Sequence, residues 1–135
     1  MISSLTLTPA QMDEMIRHAS EQSPLEACGL LSGKNGQVEQ IFLVRNQAQS
    51  PVRFVMDPYE QLQAFERIDA QGRDLLGIFH SHPAGPATPS ATDVQEAAYE
   101  VVYIILSPLS GRWNARGFWI EQTRVTEIPL AVTDG

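Results

Sequence analysis

The chain has 135 residues, 43% hydrophobic and 19% charged, a size and balance that suit one folded domain over 1–135 and exclude disorder as its main state. Its 9 Lys and Arg against 16 Asp and Glu leave a net charge of −7, which argues against nucleic acid as a partner because phosphate binding rests on basic surface. No apolar run approaches the roughly 18 residues that span a bilayer, Met1-Ile2-Ser3-Ser4 shows no basic region leading into an apolar stretch, and the single cysteine, Cys28, excludes an internal disulfide and a multi-cysteine zinc finger; a protein of the reducing cytoplasm, without a membrane partner, is expected.

Residues 8–22 read as a helix: Thr8 caps it, Pro9 suits its first position, and Met12, Met15, Ile16 and Ala19 recur at helical spacing. His18, among charged neighbours, is expected on its exposed side. Glu26 to Gly33, a turn at Lys34-Asn35-Gly36-Gln37 and Val38 to Val44 spell an antiparallel hairpin. A polar loop over 46–51 leads to a short extended piece, Arg53 to Met56. A second helix runs from Pro58 to about Gln71-Gly72, with Leu62, Phe65, Ile68 and Tyr59 on its apolar face. Leu75 to Phe79 is the nearly continuous apolar run of a central strand. After a proline-rich loop comes a third helix from about Ser90 to Glu100, then a buried strand over Val101 to Leu106 and two more over Trp113 to Ile120 and Thr123 to Pro129. A mixed α/β sheet with helices packed on it accounts for this order.

The chemistry concentrates at His80-Ser81-His82-Pro83, Ser90 and Asp93. Residues two apart on a strand share a face, about 6.6 Å apart at roughly 3.3 Å per residue, so both imidazoles can converge on one ion. Asp93, eleven positions after His82 and in the first turn of the third helix, supplies a third ligand. Two imidazole nitrogens and one carboxylate leave a tetrahedral position open, the mark of a catalytic zinc site, although iron, cobalt or manganese also accept such donors. Water at such a site needs a proton acceptor, and Glu26, at the mouth of an otherwise apolar segment, is the best candidate. Ser90 is placed to donate its hydroxyl to a developing oxyanion.

Each of these residues also has a plainer role available. A lone strand histidine is usually structural, Ser90 and Asp93 fit a helix cap, and Glu26 fits a surface charge after Pro24. Cys28 shares a strand face with Glu26 and is open to a role as nucleophile or fourth ligand, but a small buried residue is the favoured reading. Phe54, Trp113, Phe118 and Trp119 are read as core.

Taken together, Glu26, His80-Ser81-His82-Pro83, Ser90 and Asp93 match every position of the pattern of the JAMM/MPN-plus metallopeptidases, which the sequence resembles from Pro24 to the strand at Val101. The resemblance implies a curved mixed β-sheet flanked by helices, similar to the cytidine deaminase architecture. It also implies one Zn2+ held by His80, His82 and Asp93, Glu26 as general acid/base and Ser90 as oxyanion donor. Deaminase chemistry is excluded, since a Pro-Cys-x-x-Cys pair cannot be built with Cys28 alone. Compactness and the Glu-Ala-Cys-Gly-Leu-Leu segment look most like the prokaryotic subfamily that processes ubiquitin-like sulfur-carrier proteins ending in Gly-Gly, by releasing cysteine from the tail or trimming a precursor. The alternatives are an isopeptidase that frees such a protein from lysine, a hydrolase of small molecules and a metal-free MPN scaffold. The sequence leaves the oligomeric state open, a homodimer included.

Overall fold

Helix α1 (Pro9–Gln22) starts where Thr8 and Gln11 bond each other reciprocally: the Gln11 backbone N–H donates to Thr8 Oγ1 at 3.1 Å and Thr8 N–H donates to Gln11 Oε1 at 2.9 Å. Its buried face is Met15 and Ala19, and His18 lies half-buried beside them, edge-on to the Phe79 ring at 6.2 Å rather than on the exposed side. The residues described in this computed structural model are 2–133; Met1 and residues 134–135 of the domain expected over 1–135 lie outside them. Strands β1 (Leu5–Leu7), β2 (Cys28–Lys34) and β3 (Gln37–Val44) surround α1 in sequence. The β2–β3 turn places Asn35 at φ 53° and Gly36 at φ 76°, the left-handed pair that an Asn-Gly hairpin turn requires.

Helix α2 (Pro58–Ala70) is capped by the Asp57 carboxylate, which accepts from the N–H groups of Tyr59 and Glu60. It buries Ala64 and Ile68, while Tyr59 (68% exposed) and Leu62 (56% exposed) face outward, so the apolar face is narrower than the sequence pattern suggests. β4 (Asp74–Ser81) follows, then α3 (Ala91–Glu96), β5 (Val102–Leu109), β6 (Arg112–Glu121), β7 (Arg124–Ile128) and β8 (Leu130–Val132). α3 stops four residues before the expected Glu100: Tyr99 N–H donates to the Tyr103 hydroxyl at 3.0 Å, and Ala97 is already extended. Arg53 to Met56 forms no strand of the sheet and keeps only a bridge between Met56 and Asn46.

The sheet order is β7-β6-β5-β4-β2-β3-β1-β8, parallel at β4–β5, β1–β3 and β1–β8 and antiparallel elsewhere. β7 and β8, at opposite ends of that order, are separated in the chain by Pro129 alone. The sheet must therefore curl until its two ends nearly meet. The curl lets Leu5, Leu31, Ile41, Phe79, Ile104, Trp119 and Ile128, from seven different strands, join α1 in one core. A second core on the other face holds Leu30, Ile78, Ile105 and Phe118 under α2, with Val94 of α3 packed against it. Gly29 is required at the centre, where a Cβ would collide with the Phe42 carbonyl and the Phe79 ring. Among the described residues no helix is long and apolar enough to cross a membrane.

Candidate metal centre

β4 is central in the sheet; its C-terminal end carries His80, and His82 follows immediately after it. His80 pairs with Cys28 of β2 and Ile105 of β5. Beyond the strand, His82 N–H still donates to Leu106 O at 2.8 Å, so the chain stays extended and His82 keeps the face of His80. Across β2, Ser81 N–H donates to Ala27 O at 3.0 Å and Ala27 N–H donates to Ser81 Oγ at 2.7 Å, which brings Glu26 opposite His82.

The third element is α3. Its cap is a second reciprocal pair: Asp93 N–H donates to Ser90 Oγ at 3.1 Å and Ser90 N–H donates to Asp93 Oδ2 at 2.9 Å. That same Oδ2 lies 3.2 Å from His80 Nε2 and 3.1 Å from His82 Nε2, and the two Nε2 atoms are 3.0 Å apart. Capping and convergence therefore coexist on one carboxylate. A tetrahedral ion with bonds of about 2.0–2.1 Å separates its ligands by roughly 3.3 Å, so this donor triangle matches the size and chemistry of a zinc site. Glu26 completes the group, with ligand atoms of Glu26, His80 and His82 all within 4.8 Å of one another.

Glu26, His80 and His82 are all buried, and Asp93 is half-buried. His82 is fixed on its far side, Nδ1 lying 2.8 Å from Pro86 O, the arrangement that turns Nε2 inward. His80 has no partner at Nδ1 and is steadied instead by Phe54, stacked on it at 4.5 Å and 23°. Phe54 thus belongs to the site wall, not simply to the core, and nothing in its spacing announces this. Glu26 Oε1 is buried with no hydrogen-bond partner.

Electrostatics follow from these contacts. Burial, reinforced by the nearby Asp93 charge and only partly offset by His82, pushes the Glu26 carboxyl up to about 7. Burial alone would also raise Asp93, but bonds from His80 and His82 outweigh it and hold that carboxyl well below the usual range. Burial lowers His80. For His82 burial acts downward too, but the Asp93 and Pro86 bonds prevail and raise it. Cys28 is fully buried, donates to Val44 O at 3.4 Å and is pushed up to about 12 by burial, the opposite of an activated thiol. A cleft of about 240 Å³, lined by Glu26, Pro51, Val52, His82, Pro86 and Ser90 among others, opens this group to solvent.

Asn46, which lies in the expected polar loop and within the stretch that carries the family resemblance, is a buried hub here: Nδ2 donates to Glu26 O and Arg53 O, and Oδ1 accepts from Ala48 N and Val55 N, each at 3.0 Å. An Asn two residues past the end of a strand, at the start of a loop that must turn, is a local sequence signal for such a role.

Comparison with known proteins places these residues in a context. A family model described as prokaryotic homologs of the JAB domain matches residues 8–120. A desampylase from Pyrococcus furiosus is 33% identical, covering 96% of this chain and 91% of its own length. A Thermus thermophilus protein named "Probable TtuB-protein conjugate cleaving protease" is 37% identical over 90% of this chain and 78% of that one. A CysO-cysteine peptidase from Mycobacterium tuberculosis is 32% identical over 91% and 87%. Among solved structures, a protein from Desulfitobacterium hafniense superposes with a TM-score of 0.87 at 39% identity, covering 97% of this chain and 94% of that one.

Proposed function

The chain belongs to the family of prokaryotic homologs of the JAB domain, and from that premise we propose that it is a zinc metallopeptidase that hydrolyses the bond after the C-terminal Gly-Gly of a ubiquitin-like sulfur-carrier protein. The observation that carries this reading is the triangle of His80 Nε2, His82 Nε2 and Asp93 Oδ2, with sides of 3.0–3.2 Å, next to the unpartnered carboxylate of Glu26. His80, His82 and Asp93 would hold the ion. When bound, zinc supplies Lewis acidity toward a carbonyl and toward water.

The remaining work falls to the chain's own groups. Glu26 lines the cleft, and burial raises its carboxyl to about 7 in the metal-free protein, the direction that suits a group taking and then giving a proton. It accepts the proton of the attacking water and hands it to the departing amine. Ser90 uses its oxygen to accept from Asp93 N–H, which leaves its own hydrogen free to donate to the oxyanion in the cleft. Phe54 and the buried sheet end keep bulk water from His80. A Gly-Gly tail suits this cleft, because residues without a Cβ let an extended chain pass close to the reacting centre.

The relatives' names cover two leaving groups, cysteine in one and a conjugated protein in another. Either an amide to a terminal cysteine or an isopeptide to lysine presents the same acyl side to Glu26 and Ser90. We place the enzyme in the cytoplasm, where its single buried cysteine stays reduced. The test is intact mass spectrometry of a sulfur-carrier protein bearing Gly-Gly-Cys, and of the same carrier linked to a lysine, each incubated with the enzyme with and without EDTA. Loss of cysteine or release of the carrier, blocked by EDTA, is the expected result. Unchanged masses for both substrates with zinc bound to the protein would overturn the proposal.

A further inference from the structure

We propose that Asn46 is a positioning residue for Glu26, setting where its carboxylate stands in the cleft. The inference rests on the reading of Glu26 as the proton carrier. Buried Oε1 has no hydrogen-bond partner, so no side-chain hydrogen bond at that atom fixes the carboxylate, and the anchoring of the Glu26 backbone sets where it stands. That backbone is held by the 46–56 loop: Glu26 N–H donates to Ser50 O at 2.9 Å, and Glu26 C=O accepts from Asn46 Nδ2 at 3.0 Å.

The loop is in turn organised by the same side chain. Asn46 donates its second hydrogen to Arg53 O and receives Ala48 N–H and Val55 N–H on Oδ1. Both donors and both acceptor positions of one amide are thereby used, in a residue only 7% exposed. Arg53 and Val55 flank Phe54, the ring stacked on His80, so one neutral side chain sets the spacing between the proton carrier and the histidine wall. On the opposite side Ser81 Oγ fastens Ala27 to β4. Glu26 is thus clamped between β4 and the loop, and only the loop clamp depends on Asn46. A displacement of about 1 Å in such a group costs on the order of 100-fold in rate without changing what binds.

Asn46→Asp keeps both acceptors and removes both donors, leaving the Glu26 and Arg53 carbonyls without their partner. With the carrier conjugate as substrate, kcat should fall about 10- to 100-fold while KM changes less than about twofold. Zinc affinity, read by competition with a chromogenic chelator, should stay within about threefold of the wild type. In the Glu26→Gln background the same replacement should slow residual turnover far less, since the two residues act as one unit. Asn46→Ser, which restores one donor, should recover part of kcat. Wild-type kcat in Asn46→Asp, or an equal fall in the Glu26→Gln background, would overturn the inference. So would loss of zinc binding and of a cooperative melt in both Asn46 variants, which would make it a folding residue. Failure of the wild-type enzyme to cleave any conjugate would overturn the proposed function and this inference with it; normal cleavage by wild type and variant alike would overturn the inference alone.

Discussion

Glu127 on β7 and Glu26 just before β2 are both glutamates borne by the same sheet, yet their surroundings differ at every point. Glu127 is exposed and meets Arg116 of β6 in a two-bond fork, 2.7 Å to Nη2 and 3.0 Å to Nε, and that partner lowers its pKa. Glu26 is buried, has an unpartnered oxygen, and is pushed up to about 7. The first carboxylate is comfortable in water with or without its arginine; the second is held where ionisation is costly, by the bonds that Ser50 O and the Asn46 amide make to its backbone. Proton carriers are made in the second way, because a group at ease in either place has no reason to move a proton near neutrality.

The sharpest way to break the comparison is to remove what surrounds Glu26. His82→Ala should abolish both zinc binding, measured by metal analysis of the purified protein, and turnover of the carrier conjugate; full activity with no metal would end the zinc reading. Next in size, Glu26→Gln should retain zinc at one ion per chain and lose about 10²- to 10⁴-fold in kcat. Undiminished turnover there would put the proton carrier elsewhere.

A smaller effect concerns stability in the metal-free protein. The ordinary Glu pKa of 4.5 rises to about 7 in the fold, so Glu26 favours the folded state fully below pH 4.5 and loses that contribution as pH rises through 7. Metal-free Glu26→Gln, which never ionises, should therefore melt higher than metal-free wild type above pH 7, the gap closing toward pH 4.5. A gap that widened on acidification would contradict the burial argument. Smallest of all, Glu127→Gln should leave turnover unchanged and shift the melting temperature by no more than a few degrees, since exposed ion pairs add little.

Much of this was open to a reader of the sequence because it is local. The Thr8 cap, the Asn35-Gly36 turn and the Ser90–Asp93 cap each act over three residues or fewer, and each appears in the fold where it is expected, with Gln11 as the partner of Thr8 that the structure adds. The period-two spacing of His80 and His82 at the end of an apolar run likewise dictates a shared face from the chain alone. The short end of α3 was hidden, because it depends on a hydroxyl four residues further on reaching back from β5. The outward faces of Tyr59 and Leu62 were hidden as well, since an apolar residue on a helix does not say which layer will cover it.

By itself, then, the sequence determined the spacing of donors, the caps, the central buried strand and the sign of the surface charge, all properties of residues near one another in the chain. Only the tertiary structure decided that β1 and β8 pair, curling the sheet across the single residue Pro129. It also brought Glu26 opposite His82, 56 positions away in the chain, laid Phe54 on His80 and gave Asn46 its four bonds. These contacts join segments far apart in sequence, and their free energy comes from burial that exists only once the sheet has closed over its two cores.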